Sequence, residues 1–230
     1  MIPKIIHLCW FGGEMPSQLH KYINSWALHL WKDGYRLMVW NDSNIGDYID
    51  CDNIRKSIEN SVYNQISNYV RCNVLNEYGG FYMDTDVMMH GTFEKVLHLD
   101  SYFGLECCEC PEKRPLVRLI DGHRIDTGVM GFSKGHPFLK AVIERWKALP
   151  YSLLTREHRN DHMLLGELMA TYINTESVPY RIVNSIKEAE DTEKERLFPI
   201  FNYPNFDRCH MNNGKQDYGV CCHDFTTLWA

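Results

Sequence analysis

Two carboxylates one residue apart, Asp84 and Asp86, are the residues whose type and spacing point most directly to chemistry. Carboxylate oxygens are preferred ligands of Mg²⁺ and Mn²⁺, whose remaining ligands are commonly water and phosphate. A cation held there can bridge to a diphosphate and neutralise the charge that develops as the diphosphate departs. Because Asp-x-Asp alone is common in surface turns, its surroundings have to decide between a metal site and a solvated turn.

Apolar residues flank this acidic motif on both sides, at 81–83 and 87–89. Two carboxylates among apolar neighbours repel each other unless a cation or a hydrogen-bond donor compensates them. In an extended segment both side chains would also point to the same side. We therefore interpret Asp84 and Asp86 as ligands of Mn²⁺ or Mg²⁺.

Strands alternate with helices along the chain, which predicts an α/β fold with a mainly parallel sheet flanked by helices. The expected strands are residues 5–11, 36–40, 81–83, 87–89, 102–106 and 128–133. The expected helices are residues 17–31, 54–78, 137–148 and 161–173. In such folds ligands bind beyond the carboxyl ends of the strands, which is where the strand at 81–83 delivers Asp84 and Asp86.

Local signals refine these elements. Ser17 is expected to cap the first helix, and Gly79-Gly80 to end the helix at 54–78 in a left-handed conformation. The charged stretch 187–196 predicts a solvated helix or loop. The stretch 198–206 carries two prolines and is expected to be irregular.

The chain has 230 residues, a hydrophobic fraction of 44% and a formal net charge of −6. These values predict a single domain over residues 1–230 and argue against nucleic acid as a partner, since that requires a basic field. No apolar run reaches the roughly 18 residues of a transmembrane helix, and the first residues lack the features of a signal peptide. We expect a cytoplasmic protein, and peripheral contact with the inner face of a membrane stays open.

Nine cysteines, an odd number, are interpreted as reduced thiols. Two clusters, Cys107-Cys108-x-Cys110 and Cys221-Cys222-His223, leave a zinc-stabilised binding module as an alternative. Adjacent cysteines in a strand point to opposite faces, which disfavours them as ligand pairs. A metal-dependent phosphohydrolase or nucleotidyltransferase is a further alternative, although such sites usually need more carboxylates.

Several motifs, in order along the chain, resemble those of family 32 glycosyltransferases, which include α-mannosyltransferases and capsular polysaccharide synthesis proteins. The region of the large clostridial toxins that transfers glucose is also similar. The motifs lie at residues 2–13, 67–71, 75–86, 128–131 and 134–137. The resemblance implies a GT-A fold, which is Rossmann-like, and transfer from a nucleotide sugar with retention of anomeric configuration, helped by Mn²⁺ or Mg²⁺.

The resemblance also implies roles for three residues near the start of the chain and before the acidic motif. Trp10 would stack on the nucleotide base, with an ordinary core position as the alternative. Arg71 would contact the diphosphate or the sugar, with a surface ion pair as the alternative. Asn68 stands where the family usually has Asp that accepts hydrogen bonds from sugar hydroxyls, so this departure leaves the donor sugar open.

Four later residues are further candidates. Asp126 would lie near the anomeric carbon or orient the acceptor, with a turn residue as the alternative. By the resemblance, His223 is the first candidate for a further metal or diphosphate contact and Asp224 the second. In the family such a residue closes over the donor, and Trp229 resembles the aromatic residue that follows it, which makes Trp229 a candidate for binding the donor.

Taken together, these expectations describe an enzyme that transfers a hexose to a saccharide or lipid-linked glycan during surface polysaccharide assembly. UDP-linked sugars are favoured as donors, and GDP-mannose stays open.

Overall fold

The computed structural model describes residues 1–105, 120, 123–154, 164–201, 206–207 and 221–223, and for residues 164, 206–207 and 221–223 the backbone alone. The helices are α1 (His20–Leu30), α2 (Asp52–Glu59), α3 (Tyr63–Tyr78), α4 (Pro137–Ala148), α5 (Tyr151–Leu154), α6 (Leu164–Thr175) and α7 (Ile186–Lys194). The strands are β1 (Ile5–Cys9), β2 (Arg36–Trp40), β3 (Gly80–Met83), β4 (Val87–Met89), β5 (Ser101–Leu105), β6 (Ile125–Phe132), β7 (Tyr180–Val183), β8 (Phe198–Phe201), β9 (Phe206–Asp207) and β10 (Cys221–His223).

Seven of the described strands form one sheet in the order β2-β1-β3-β6-β5-β8-β7. β6 pairs antiparallel with β3 and β5, and the other four neighbouring pairs are parallel. The predicted α/β class with a mainly parallel sheet is therefore confirmed. Because β6 runs the opposite way, it begins at the edge where β1 and β3 end.

Helices cover both faces of this sheet, because alternate residues of its buried strands pack into two different apolar clusters. Tyr82 of β3 belongs to one cluster with Val70 of α3 and Leu139 of α4. Phe81, its neighbour in β3, belongs to the other cluster with Trp26 of α1. The strand that precedes the acidic motif is thus buried on both faces, which fixes the place where it ends.

Two predicted elements differ in the structure. The helix expected over 54–78 is two helices, α2 and α3, because Ser61 between them has a φ of 55° that no helix contains. The stretch expected to be irregular at 198–206 contains β8. Its Pro199 is tolerated because the described pairing of β8 with β5 begins only at Phe201, past the position that lacks an N–H.

Two local predictions also need correction. Ser17 does not cap a helix: it begins a 3₁₀ turn, Ser17–Leu19, whose capping position is Pro16. Gly79 has the positive φ expected after α3, 67°, but its ψ of −173° lies outside the left-handed helical region. Gly80 approaches β1 so closely that a Cβ there would lie 2.5 Å from the Ile5 carbonyl oxygen.

The remaining three described strands form a small sheet in the order β4-β10-β9. β10 pairs antiparallel with β4, so that His223 is opposite Val87. A segment near the end of the chain therefore lies beside the strand that follows the acidic motif. Among the described helices, none combines the length and the apolar character needed to cross a bilayer.

Candidate active site

One edge of the sheet brings together the candidates predicted from separate parts of the chain. Trp10 follows β1, Asp84 follows β3, and Asp126 is the second residue of β6. The register of β3 against β6 places Met83 opposite Val129, and the backbone N–H of Asp84 donates to the Gly128 carbonyl at 2.8 Å. This edge is the one that the sequence predicted for a ligand site.

The acidic motif forms a turn between β3 and β4. The N–H of Val87 donates to the Asp84 carbonyl at 3.1 Å, so the expectation of an extended segment was wrong. The chain has to turn here because it leaves the large sheet and enters the small one. The Asp84 side chain is 16% exposed, whereas Asp86 is 1% exposed. Thr85 between them is fully buried, and its hydroxyl has no hydrogen-bond partner among the described residues.

Two donors hold one oxygen atom of Asp84. The Tyr82 hydroxyl donates to Oδ1 at 2.8 Å, and Nη2 of Arg71 lies 3.1 Å from the same oxygen. Since the single O–H of Tyr82 is used in this way, the Ser67 hydroxyl 3.1 Å away donates to the Tyr82 oxygen. Burial raises the pKa of Tyr82 well above its ordinary value, although the charge of Arg71 opposes this, so the phenol stays protonated as a donor.

Arg71 is 5% exposed, so the alternative of a surface ion pair was wrong. Its Nη1 donates to the Thr127 carbonyl at 2.7 Å, Nη2 to the Ser67 hydroxyl at 3.1 Å and Nε to the Ser67 carbonyl at 3.4 Å. The guanidinium carbon lies 4.1 Å from the centre of the Tyr82 ring. Burial by itself lowers the pKa of Arg71, but interactions with Asp84, Tyr82 and the neighbouring thiols together outweigh it, and the pKa is raised.

Asn68 is placed one helical turn before Arg71 on α3, closer to the edge at which β3 ends. It is 2% exposed, and its Nδ2 has no hydrogen-bond partner among the described residues. A buried amide without a partner is unusual in folded proteins and calls for a bound water or a ligand. This is the position at which the family resemblance would place an aspartate.

Trp10 is partly exposed, which excludes the alternative of an ordinary core position. Its indole N–H donates to the Gly13 carbonyl at 3.1 Å. Asp126 is 7% exposed and lies within β6, so it is not a turn residue. Its Oδ1 accepts from the N–H of Gly128 at 2.7 Å. The functional roles of both residues stay predictions.

The C-terminal candidates are placed only in part. The backbone of His223 lies beside β4, opposite the residue that follows Asp86. Asp224 and Trp229 lie outside the described residues, as do Cys107, Cys108 and Cys110.

The donor set at the acidic turn can be tested against a divalent cation. Within the described parts of the chain, no three His, Cys, Asp or Glu side chains cluster so as to hold a metal ion. Mg²⁺ sites nevertheless commonly use only one or two protein carboxylates, and phosphate and water occupy the remaining coordination positions. Asp84 and Asp86 fit such an ion, and they do not fit a closed structural zinc site.

The described cysteines do not support the zinc alternative. Cys9, Cys51 and Cys72 are free thiols, as predicted. Burial raises the pKa of Cys9 and of Cys72 to about 12, so both thiols remain protonated at neutral pH. The side chains of the two predicted cysteine clusters are not described, and that alternative stays untested there.

Sequence reasoning missed two members of the site, Ser67 and Tyr82. A signal for each was present. Ser67 precedes Arg71 by four residues, which places both on one face of α3. Tyr82 precedes Asp84 by two residues, which places both on one side of a strand that continues straight.

Known proteins resemble this chain in sequence. It is 32% identical over 145 residues to inositol phosphoceramide mannosyltransferase 3 of Schizosaccharomyces pombe, a match that covers 62% of this chain and 36% of that protein. It is 28% identical over 109 residues to an uncharacterized glycosyltransferase of Acanthamoeba polyphaga mimivirus, a match that covers 45% of this chain and 43% of that protein. The matches thus span less than half the length of these relatives.

A solved structure shares the fold. The PaToxG glycosyltransferase matches with a TM-score of 0.54 at 15% identity, over 85% of this chain and 75% of that chain. This likeness confirms the predicted GT-A fold. Residues 1–192 match a family model described as capsular polysaccharide synthesis protein. Since that match covers most of the sequence, the chain belongs to the capsular polysaccharide synthesis protein family.

Proposed function

We propose that this chain, as one domain, is a glycosyltransferase that moves a hexose from a nucleotide sugar to a saccharide or a lipid-linked glycan with retention of configuration. The observation that carries the proposal is the acidic turn after β3, where Asp84 is held by Tyr82 and Arg71 at the carboxyl edge of a GT-A sheet. The names of the relatives support the class of reaction, because both are glycosyltransferases.

Asp84 and Asp86 are the residues that would hold Mn²⁺ or Mg²⁺. When bound, the cation would neutralise the negative charge that develops on the departing diphosphate. The buried position of Asp86 and the two donors on Asp84 would keep both carboxylates in place while the donor binds and leaves. Such fixed groups do not have to reorganise during the reaction, which is the main source of electrostatic catalysis.

The other edge residues would bind and orient the substrates. Trp10, which is partly exposed, would stack on the nucleotide base. Asp126, near the start of β6, would lie near the anomeric carbon or orient the acceptor hydroxyl. His223 would reach the metal or diphosphate from β10, with Asp224 as the alternative, and Trp229 would cover the donor.

The proposal also extends to the identity of the donor sugar. We favour a UDP-linked hexose, and the name of the yeast relative, an inositol phosphoceramide mannosyltransferase, adds GDP-mannose as a specific competitor. The same name makes a lipid-linked acceptor a specific candidate. Such an acceptor would bring the protein to a membrane surface.

A screen of UDP- and GDP-linked sugars for slow Mn²⁺-dependent hydrolysis tests this proposal without knowledge of the acceptor. We expect one donor to release its nucleoside diphosphate, and chelation of the metal to stop the release. Asp86→Asn and Asp84→Asn should each lower the rate by about 10²-fold or more, the scale on which removing one electrostatic stabiliser acts. Asp47→Asn, which changes an exposed carboxylate elsewhere, is the matched control and should keep the wild-type rate.

Near-normal turnover by folded Asp86→Asn would exclude the metal role of this residue. Tightly bound stoichiometric zinc together with no turnover of any donor would favour the binding module instead.

A further inference from the structure

The guanidinium of Arg71 is bonded inside the protein rather than presented to a cleft. Three hydrogen bonds and one ion pair join it to Ser67, Thr127 and Asp84, and its central carbon lies 4.1 Å from the centre of the Tyr82 ring. Arginine has five N–H groups, so these contacts occupy most of its donors. With 5% of its surface exposed, Arg71 would have to break several of them in order to reach a diphosphate.

These contacts connect three elements that meet at the site. Arg71 belongs to α3, its Nη1 binds the backbone of β6 at Thr127, and its Nη2 binds the carboxylate that follows β3. A planar, forked group with fixed donor directions can hold three such partners at once, whereas the ammonium of lysine is a point charge on a flexible stem. Arg71 therefore sets where Asp84 lies relative to both neighbouring elements.

Tyr82 supplies the second constraint on the same atom. Its hydroxyl and Nη2 of Arg71 both approach Oδ1 of Asp84, at 2.8 Å and 3.1 Å. The Ser67 hydroxyl lies within 3.1 Å of the Tyr82 oxygen and of Arg71 Nη2, so it ties the two donors together. One hydrogen bond and one ion pair on the same oxygen restrict both the position and the rotation of the carboxylate.

We propose that Arg71 is a positioning residue, which orients the Asp84 carboxylate toward the cation and acts on the donor through Asp84 rather than by touching the diphosphate. This inference rests on the proposed function. It differs from the role that the family resemblance implies, a direct contact with the diphosphate or the sugar.

Calorimetric titration with UDP and with GDP, in EDTA and in Mn²⁺, separates the two roles without measuring turnover. If Arg71 acts through Asp84, Arg71→Lys should keep the metal-free Kd within about twofold of wild type. The factor by which Mn²⁺ tightens nucleotide binding should fall by about tenfold, the scale of one lost charge-assisted hydrogen bond. Tyr82→Phe keeps the ring, loses the second donor, and should show the same pattern.

Arg55→Lys is the matched control, because Arg55 is an exposed arginine of α2 paired with Asp52. It should leave both affinities unchanged. Thermal melting will show whether Arg71→Lys is folded, and Arg71→Gln, with a planar amide, replaces it if it is not.

A metal-free affinity about tenfold weaker in the Arg71 variant, with the Mn²⁺ factor preserved, would overturn the inference and establish a direct contact. If wild-type protein binds neither nucleotide more tightly in Mn²⁺, the proposed function fails first, and this outcome is distinguishable from the failure of the positioning role.

Discussion

At the scale of single residues, Asn68 stands where the family resemblance would place an aspartate. Aspartate accepts hydrogen bonds only, whereas the amide of asparagine both accepts and donates. In this structure the donating nitrogen is buried and has no partner among the described residues. A donor sugar that places an acceptor group against Nδ2 would satisfy it, and one that cannot would leave it unpaired at a cost of about 1–3 kcal/mol.

Asn68→Asp should therefore change the ranking of donor sugars. It removes the two N–H donors and adds a negative charge, so it should favour sugars that present a hydroxyl donor there and reject those with a carboxylate. The ratio of rates between two such donors should shift by about tenfold or more, measured across the same panel of nucleotide sugars. Asn60→Asp, at the exposed end of α2, adds the same charge elsewhere and should not change the ranking. An identical donor profile in both variants would contradict this role for Asn68.

At the scale of elements, His7 of β1 connects the strands and the glycine pair that precede the acidic turn. Its Nδ1 accepts from the Trp40 indole at 3.1 Å, so the proton must be on Nε2, which donates to the Gly79 carbonyl at 2.9 Å. His7 thus connects β1, β2 and the glycine pair that precedes β3. Protonation would place an N–H against the N–H of Trp40, and the burial of the ring lowers the pKa of His7 to about 4.

This arrangement predicts acid sensitivity of the fold. The unfolded chain binds a proton at His7 near pH 6.5 and the folded chain only near pH 4, so stability is complete above pH 6.5 and falls as the pH drops through this window. The loss in the free energy of unfolding should approach about 3 kcal/mol near pH 4. His136, whose pKa burial also lowers to about 4, adds to it in the same direction.

Urea unfolding at several pH values measures this loss. At pH 7, His7→Gln should have a lower free energy of unfolding than wild type. Between pH 7 and pH 4 this free energy should fall less in His7→Gln than in wild type, and the difference between the two declines should be about 3 kcal/mol at most. His20→Gln, at an exposed position, is the control and should decline as steeply as wild type. Equal slopes for His7→Gln and wild type would show that His7 is not the group that couples folding to pH.

Elements with strong local signals were predictable from the sequence, and the others were not. Strand β2 and helix α4 match their predicted bounds, because apolar periodicity and a proline at the start of α4 are local properties. β8 was missed because Pro199 opposes a strand locally, and only pairing with β5 and β7 overrides that preference. The break at Ser61 was missed because the apolar spacing of α3 continues back into α2.

At the scale of the whole molecule, the site exists because distant segments meet at one edge of the sheet. Strand order cannot be read from local patterns, and here it inserts β6 between β3 and β5. This insertion brings Thr127 and Gly128 against Arg71 and Asp84. Asp84 and Asp86 could be proposed as metal ligands from the sequence, whereas the residues that surround Asp84 depend on this long-range topology.

The placement of β10 is a second consequence of topology. It pairs with β4, so the backbone of His223 lies across from Val87. The sequence suggested His223 only through the family resemblance, because a single histidine carries no positional signal of its own. The backbone is therefore suitably placed for the proposed role, and the role itself stays a prediction.

The most direct test of the central claim is a crystal structure of the protein with Mn²⁺ and the nucleoside diphosphate of its donor, UDP or GDP. We expect anomalous density for one manganese ion within about 2.2 Å of oxygens of both Asp84 and Asp86, bridging to the diphosphate. A nucleotide-bound crystal at saturating Mn²⁺ in which this turn binds no cation would contradict the account.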